Sequence, residues 1–240
     1  MLGRRIVLKR GGKDQAEKPF WISFADLMTA LMILFLVVMS VALLAVTKTA
    51  SEAEKKKIER DVGIEVLLAK VKKAAEQYPG VTVDSKRNVI DFGDRARFDT
   101  ASHQLSADQA KLLRAFVPEI LTIARDDLGK HWLKRIVVEG FADQRGTYLY
   151  NLDLSLKRSE RVLCILLAPP SSSEKVMNPN ELEQIRELFL VGGYSFNSAK
   201  ASFEESRRIE LRLEFLGNNE QRPPASEIPR GDFGPCRLGE

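Results

Sequence analysis

The chain has 240 residues, 44% hydrophobic and 29% charged, a composition typical of a folded chain, with room for one ordinary domain, a membrane segment and tails. Its net charge of +4 arises entirely in residues 1–19, which hold six Lys or Arg against two acidic residues. The rest of the chain is therefore neutral, which argues against the basic face that a nucleic-acid-binding domain presents.

An apolar run from Phe20 to Val46 follows this basic start, and Asp26 is its only charge. As a helix the run is about 40 Å long, more than the ~30 Å hydrocarbon core, so we expect a transmembrane helix over 20–46. The positive-inside rule places residues 1–19 in the cytoplasm and the rest of the chain, in a Gram-negative cell, in the periplasm. A cleaved signal peptide is the alternative, but its apolar region would be only roughly 7–15 residues long.

Asp26 lies about 9 Å inside the cytoplasmic end of this helix. A carboxylate within a membrane is costly and is normally functional, so we expect Asp26 to be an ion-carrying residue. Small or hydroxylated residues that share its helical face leave room for an ion or water and for close helix approach: Ser23, Thr29, Ala30 and Ile33. The alternatives are a carboxylate that snorkels to the interface and a polar residue that sets the register of a dimer.

Residues 47–80 are highly charged and end at a Pro-Gly pair, which predicts a linker helix carried outward from the membrane. A broken apolar stripe runs along this helix at Ile58, Val62, Val66 and Ala69. Two functions for the stripe remain open, because it could pair two chains or simply lie on the following domain.

A compact domain is predicted over residues 81–216. Alternating residues in VTVDS and NVIDF predict a hairpin, and Ser106 with Gln109 predicts a capping box for a helix to about Leu128. The later elements are predicted as a strand at 135–141, a helix at 152–168, a short helix capped by Asn178 or Asn180, and strands at 189–194 and 207–215. This order predicts an α+β two-layer sandwich with a mixed sheet, followed by an irregular tail at 217–240.

The two cysteines, Cys164 and Cys236, both lie beyond the predicted membrane span. An oxidising compartment permits a disulfide, which would join the tail to the domain, and two unpaired thiols are the alternative. His103 and His131 are the only histidines, and neither a nucleophile motif nor a metal-ligand cluster is present. We therefore expect no enzyme activity, no cofactor and no metal.

The segment WISFADLMTALM, residues 21–32, resembles the membrane signature of the MotB family of flagellar stator proteins. The resemblance implies that Asp26 carries the ion and that two copies of the chain form a homodimer. It also implies a pentamer of a MotA-like membrane subunit around that dimer, turned by the passage of ions. We favour protons over sodium because only Ser23 and Thr29 offer further oxygen ligands from this chain.

Two further segments, VEGFADQRG (138–146) and YNLDLSLKRSERV (150–162), resemble the OmpA-like peptidoglycan-binding domain. Residues 98–105 and 206–211 extend the resemblance. It implies a peptidoglycan site formed by Asp143, Tyr150, Asn151, Leu154 and Arg158. Asp143 would take the ammonium of a diaminopimelate stem peptide, and Arg158 would take its carboxylate through a bidentate fork. A plain salt bridge between Asp143 and Arg158 is the alternative.

Phe141 and Ala142 replace the usual His and Thr of that family's loop, which removes two hydrogen-bonding side chains. The whole chain resembles the ZorB family of the Zorya anti-phage defence systems. The resemblance rests on this altered loop, on the short segment between Val46 and the domain, and on the compact length of the chain. The resemblance implies ZorA as the MotA-like partner. A flagellar stator subunit and a non-conducting cell-wall tether are the alternatives, and the ExbD/TolR transport energisers lack an OmpA-like domain.

Overall fold

The structure is a computed structural model that describes residues 17–169, 176–222, 233–236 and 238. Residues 1–16, and most of the tail predicted at 217–240, lie outside the described residues. The chain divides into two compact units, Met1–Lys56 and Lys57–Glu240.

Helix α1 runs from Glu17 to Ala75, and the part up to Lys56 belongs to the first unit. Pro19 lies in its first turn, where a missing N–H costs no helical hydrogen bond. Every side chain from Trp21 to Lys56 is exposed, although the stretch is rich in Leu, Ile, Val, Phe and Met. By length and composition this helix can cross a membrane, and the predicted span of 20–46 lies inside it.

The second unit begins at Lys57, upstream of the domain boundary expected at Val81. The end of α1 belongs to this unit because one of its faces is buried in the domain core, through Leu67, Leu68, Val71 and Ala75. Gly63 lies so close to Trp132 that an added Cβ would be 2.3 Å from the indole nitrogen.

The apolar stripe predicted on this helix lies outside that contact. Ile58, Val62 and Val66 are 57%, 54% and 43% exposed, and Ala69 is also exposed. The stripe therefore does not lie on the domain, and the pairing of two chains stays a prediction.

Five strands form one mixed sheet: β1 (Thr82–Asp84), β2 (Val89–Asp91), β3 (Leu133–Gly140), β4 (Phe189–Gly193) and β5 (Ile209–Phe215). Their order is β1-β2-β5-β3-β4, in which β3 and β4 are parallel and the other pairs are antiparallel. The described α-helices that follow α1 are α2 (Ala107–Arg125), α3 (Asp127–Trp132), α4 (Tyr148–Leu167), α5 (Pro179–Leu188) and α6 (Phe203–Ser206), and a short 3-10 helix spans Gly93–Ala96. The predicted α+β fold with a mixed sheet is confirmed.

Capping residues account for several helix ends. Ser106 and Gln109 form the predicted capping box of α2, and Asn178 caps α5. The helix predicted to run to about Leu128 ends at Arg125 instead, because Asp126 caps a separate short helix, α3.

The two faces of the sheet differ in chemistry because side chains alternate along each strand. Ile209, Leu211 and Leu213 of β5 are buried in one core with residues of α2, α4 and α5. The intervening residues Glu210, Arg212 and Glu214 form salt bridges on the other face, such as that between Arg212 and the buried Glu139 of β3.

A disulfide joins Cys164 of α4 to Cys236, with an S–S distance of 2.07 Å, which is the pairing that the sequence permits. Leu238 of the same tail accepts hydrogen bonds through its carbonyl from His103 and Arg161. The described part of the tail is therefore fixed to the domain both covalently and by hydrogen bonds.

Candidate ion carrier and candidate ligand cavity

Asp26 lies in the exposed first unit, one helical turn from Thr29. The Thr29 hydroxyl donates to the carbonyl oxygens of Ala25, at 2.9 Å, and Asp26, at 2.8 Å. Its hydrogen is therefore occupied, and only its oxygen lone pairs can face an ion. The carboxylate is exposed in the single chain, so in a membrane a partner or water must cover it.

A second candidate site is a cavity of about 220 Å³ in the domain. The residues that line it come from the loop after β2, the loop after β3 and the start of α4: Thr100, Ala101, Asp143, Arg145, Gly146, Tyr150, Asn151, Leu154 and Arg158. All five residues predicted to bind peptidoglycan are in this set. The structure thus brings together side chains that the sequence separates by up to fifteen positions.

Close packing of α4 on β3 positions the cavity. An added Cβ at Gly140, the last residue of β3, would lie 2.0 Å from the Ser155 carbonyl oxygen, so only glycine permits this approach. Gly146 has φ +96°, a left-handed conformation that favours glycine, and Thr147 then caps α4. The Asn151 side-chain amide donates to the Arg145 carbonyl at 2.8 Å and joins the helix to the loop.

Asp143 is held by two arginines. Its Oδ2 accepts from Arg145 Nη2 at 2.6 Å and from Arg207 Nη1 at 3.2 Å, and its Oδ1 accepts from the Arg145 backbone N–H at 3.0 Å. Burial alone would raise the pKa of this carboxyl, but the hydrogen bonds from Arg145 and Arg207 outweigh it and lower the pKa to about 2. Asp143 is therefore ionised at any physiological pH.

Arg158 is completely buried and points its nitrogens at backbone carbonyls. Nε donates to Ser102 at 2.9 Å, Nη1 to Phe141 at 2.7 Å and Nη2 to Asp99 at 3.1 Å. Burial lowers its pKa to about 10, so it remains charged at neutral pH. Within the described part of the chain no salt bridge joins it to Asp143. The bidentate fork to a ligand remains a prediction, and three of the five N–H donors are already used.

The two departures from the OmpA-like loop lie behind the cavity wall. Phe141 and Ala142 are 2% and 1% exposed and do not line the cavity. The Phe141 ring stacks on Tyr194 at 5.3 Å and carries the Arg208 guanidinium 4.1 Å from its centre. These replacements therefore remove no hydrogen-bonding group from the cavity lining that the structure describes.

The two arginines that contact Asp143, Arg145 and Arg207, are not among the site residues predicted from the sequence. Arg145 was detectable in principle, because Asp-x-Arg-Gly favours a turn in which the Asp side chain accepts the backbone N–H two residues on. Arg207 follows Asp143 by 64 positions, and no local signal announces such a contact.

Comparisons with known proteins cover both units. Residues 4–55 match the family model described as membrane MotB of the proton-channel complex MotA/MotB. The Zorya protein ZorB of Escherichia coli O139:H28 (strain E24377A / ETEC) is 45% identical over 236 residues, which is 98% of this chain and 95% of that protein.

Two solved structures are also similar. The OmpA-like domain of FopA1 from Francisella tularensis is 18% identical, with a TM-score of 0.35 over 57% of this chain and 82% of that one. The periplasmic domain of Helicobacter pylori MotB is 17% identical, with a TM-score of 0.38 over 55% of this chain and 75% of that one.

Proposed function

Because the chain belongs to the family of the Zorya protein ZorB, we propose that it is the ion-carrying, wall-anchored subunit of a membrane motor used in anti-phage defence. It would be a single-pass inner-membrane protein with residues 1–19 in the cytoplasm and the domain in the periplasm. A pentamer of ZorA, the MotA-like partner, would surround a homodimer of this chain. Proton flow past Asp26 would then drive rotation.

The position of Asp26 carries this proposal. It is the only charge between Phe20 and Val46, and it lies within the stretch that matches the proton-channel family model. An intramembrane carboxylate costs a few kcal/mol on insertion scales, a cost that an ion pathway explains. Only Ser23 and Thr29 on the Asp26 face offer further oxygen ligands from this chain, too few for a sodium site, which favours a proton as the carried ion.

The cavity of the second unit supports the proposed wall anchor. It joins Asp143 and Arg158 with the half-exposed ring of Tyr150, and its size suits the end of a stem-peptide side chain. In this proposal the ligand is the diaminopimelate stem peptide of peptidoglycan. Attachment to the wall holds the dimer still, so that ion flow turns the partner.

Two alternatives differ in their partners. A flagellar MotB-type stator needs a flagellar MotA-like gene beside this one, and finding such a neighbour would count against the defence role. A non-conducting tether needs no ion path.

The functional test is the plating efficiency of phages on cells that carry this gene with its neighbouring partner genes, where protection is expected. Unchanged plating, or rescue of motility in a stator-deficient strain, would favour the alternatives.

The exposed stripe of α1 predicts where two copies meet. We expect Val62→Cys to form disulfide-linked dimers in membranes under mild oxidation, because Val62 is exposed between Ile58 and Val66 at helical spacing. The native cysteines are bonded to each other, so the new thiol is the only free one. Non-reducing electrophoresis measures the linkage.

Lys57→Cys is the matched control for this cross-link, since Lys57 is exposed but lies about 140° around the helix from Val62. Equal cross-linking at both positions would mean that the stripe does not define the contact.

A further inference from the structure

We propose that the Cys164–Cys236 disulfide is a redox-sensitive switch, which holds the C-terminal tail across α4 and against the loop between β2 and α2. When a dithiol reduces this bond, the tail leaves α4 and the loop loses one of its attachments. The described tail residues 233–236 and 238 are called the strap below. The switch is independent of the proposed motor function, because it involves only the strap, α4 and that loop.

The strap joins two parts of the domain that are distant in the sequence. The Leu238 carbonyl oxygen accepts a hydrogen bond from Nε2 of His103 at 3.0 Å and from Nη2 of Arg161 at 3.2 Å. His103 lies in the loop between β2 and α2, whereas Arg161 lies on α4, about one turn before Cys164. Through Leu238, the strap therefore links the loop to the helix.

Non-covalent packing under the strap is poor. Residues 234–236 are exposed, and Phe233 and Leu238 are only partly buried. A cavity of about 240 Å³, large enough for several water molecules, lies between the strap and the apolar side chains of Leu163 and Leu167 on α4. Hydrogen bonds at such a surface add little net stability, because water competes for the same groups. The covalent bond is therefore the contact that keeps the strap in place.

Release of the strap is a local event. In the described part of the chain, the buried core includes no strap residue. Val162 and Leu166 of α4 are fully buried in that core, whereas Leu163 and Leu167 are only partly buried. Helix α4 therefore keeps its core contacts when the strap leaves. Chain ends that are not tied down are the parts of a fold that open most readily.

The loop depends on such attachments because residues 98–105 contain no helix or strand. Arg158 holds the carbonyls of Asp99 and Ser102, and the strap holds the next residue, His103. Arg158 stays in place when the strap leaves, so the loop becomes more mobile without unfolding. Reduction at one end of α4 thus reaches a loop that is more than 50 positions earlier in the sequence.

The release is a thiol–disulfide exchange. One thiolate of the dithiol attacks Sγ of the exposed Cys236, the Cys164–Cys236 bond breaks, and Cys164 leaves as a thiolate that takes up a proton. The second thiol of the reductant then attacks the mixed disulfide, which closes the reductant into its own disulfide and frees Cys236 as a thiol. Two electrons and two protons pass from the dithiol to the chain.

Two measurements on the full chain in detergent test the switch, before and after reduction with dithiothreitol and alkylation with iodoacetamide. Hydroxyl-radical labelling of Leu163 and Leu167, which the strap covers, should rise at least about twofold on reduction, with no change at the buried Leu166. Deuterium exchange of peptides that contain residues 98–105 should become about threefold faster or more, with no change in α2.

Three variants separate the bond from its effects. Cys236→Ser should match the reduced protein without any alkyl group, and reductant should change it no further. His103→Ala should speed exchange in the loop while the intact disulfide keeps labelling of Leu163 at the wild-type level. His131→Ala, at the only other histidine, is the matched control and should behave like wild type. Circular dichroism melting checks that each variant is folded.

Four results would overturn the switch. Unchanged labelling of Leu163 and Leu167 after reduction would mean that the strap stays bound without the disulfide. Increased labelling with unchanged exchange in the loop would mean that the strap does not order the loop. Faster exchange throughout α2 would mean that the bond supports the whole domain. Alkylation of both cysteines in unreduced membranes would mean that the bond is not formed in the cell.

Discussion

Replacing Asp26 with Asn is expected to abolish protection against phage while leaving the protein assembled with its membrane partner. Asn has nearly the same size and shape, so helix packing should survive. An amide cannot bind and release a proton as a carboxylate does, so the ion path should be closed. Plating efficiency on cells carrying the whole gene set should return to the unprotected level, a change of orders of magnitude. Co-purification with the partner in detergent measures assembly.

Two further substitutions, one at Asp26 and one at Thr29, act as controls for that result. Asp26→Glu keeps a carboxylate and should retain part of the protection, and Thr29→Ala should have a mild effect because the Thr29 hydroxyl already donates to the helix backbone. If Asp26→Asn fails to co-purify with the partner, Asp26 is an assembly residue, as the dimer-register alternative holds. Full protection by a correctly assembled Asp26→Asn protein would refute the ion-carrier assignment.

A second large effect is expected from Arg158→Ala. The change leaves a void and removes the donor from three carbonyls, those of Asp99, Ser102 and Phe141. Hydrogen bonds to charged groups contribute about 1.5–3 kcal/mol each, so we expect the free energy of unfolding to fall by at least about 3 kcal/mol. For a domain of this size the melting temperature should fall by roughly 6–12 °C, with loss of co-sedimentation with purified peptidoglycan.

The variant Arg145→Gln is compared with Arg158→Ala in order to separate an effect on binding from an effect on stability. Arg145 is half exposed, so its loss should reduce binding with only a small change in melting temperature. Arg158→Ala should change both quantities. If Arg158→Ala keeps the wild-type melting temperature and loses only the ligand, Arg158 contacts the ligand directly, as the sequence comparison with OmpA-like domains implied.

Local chemistry made part of this structure predictable. A lone carboxylate in an apolar run identifies Asp26, and the Ser106–Gln109 spacing identifies the start of α2, because each signal depends on neighbouring residues only. The α+β order also followed from the alternation of strand and helix patterns. Asp143 and Arg158, which the motif spacing pairs, line one cavity, and their binding of peptidoglycan stays a prediction.

Non-local contacts explain what the sequence could not determine. The end of α1 carries two apolar faces, and nothing in the sequence says that Leu67 and Val71 enter the core while Val62 stays exposed. The partners of Asp143 were equally hidden. The spacing of Asp143 and Arg158 in the motif suggested that the two side chains form an ion pair. In the structure Arg145 and the distant Arg207 hold the Asp143 carboxylate, and Arg158 donates to backbone carbonyls such as that of Phe141.

Proton flux tests the central claim most directly. The complex of this chain with its MotA-like partner would be reconstituted into vesicles that carry an internal pH-sensitive dye, and an imposed potential would drive the ion. We predict acidification with the wild-type complex and none above the background of empty vesicles with the Asp26→Asn complex. Equal acidification by the two complexes, or sodium entry without acidification, would contradict the account.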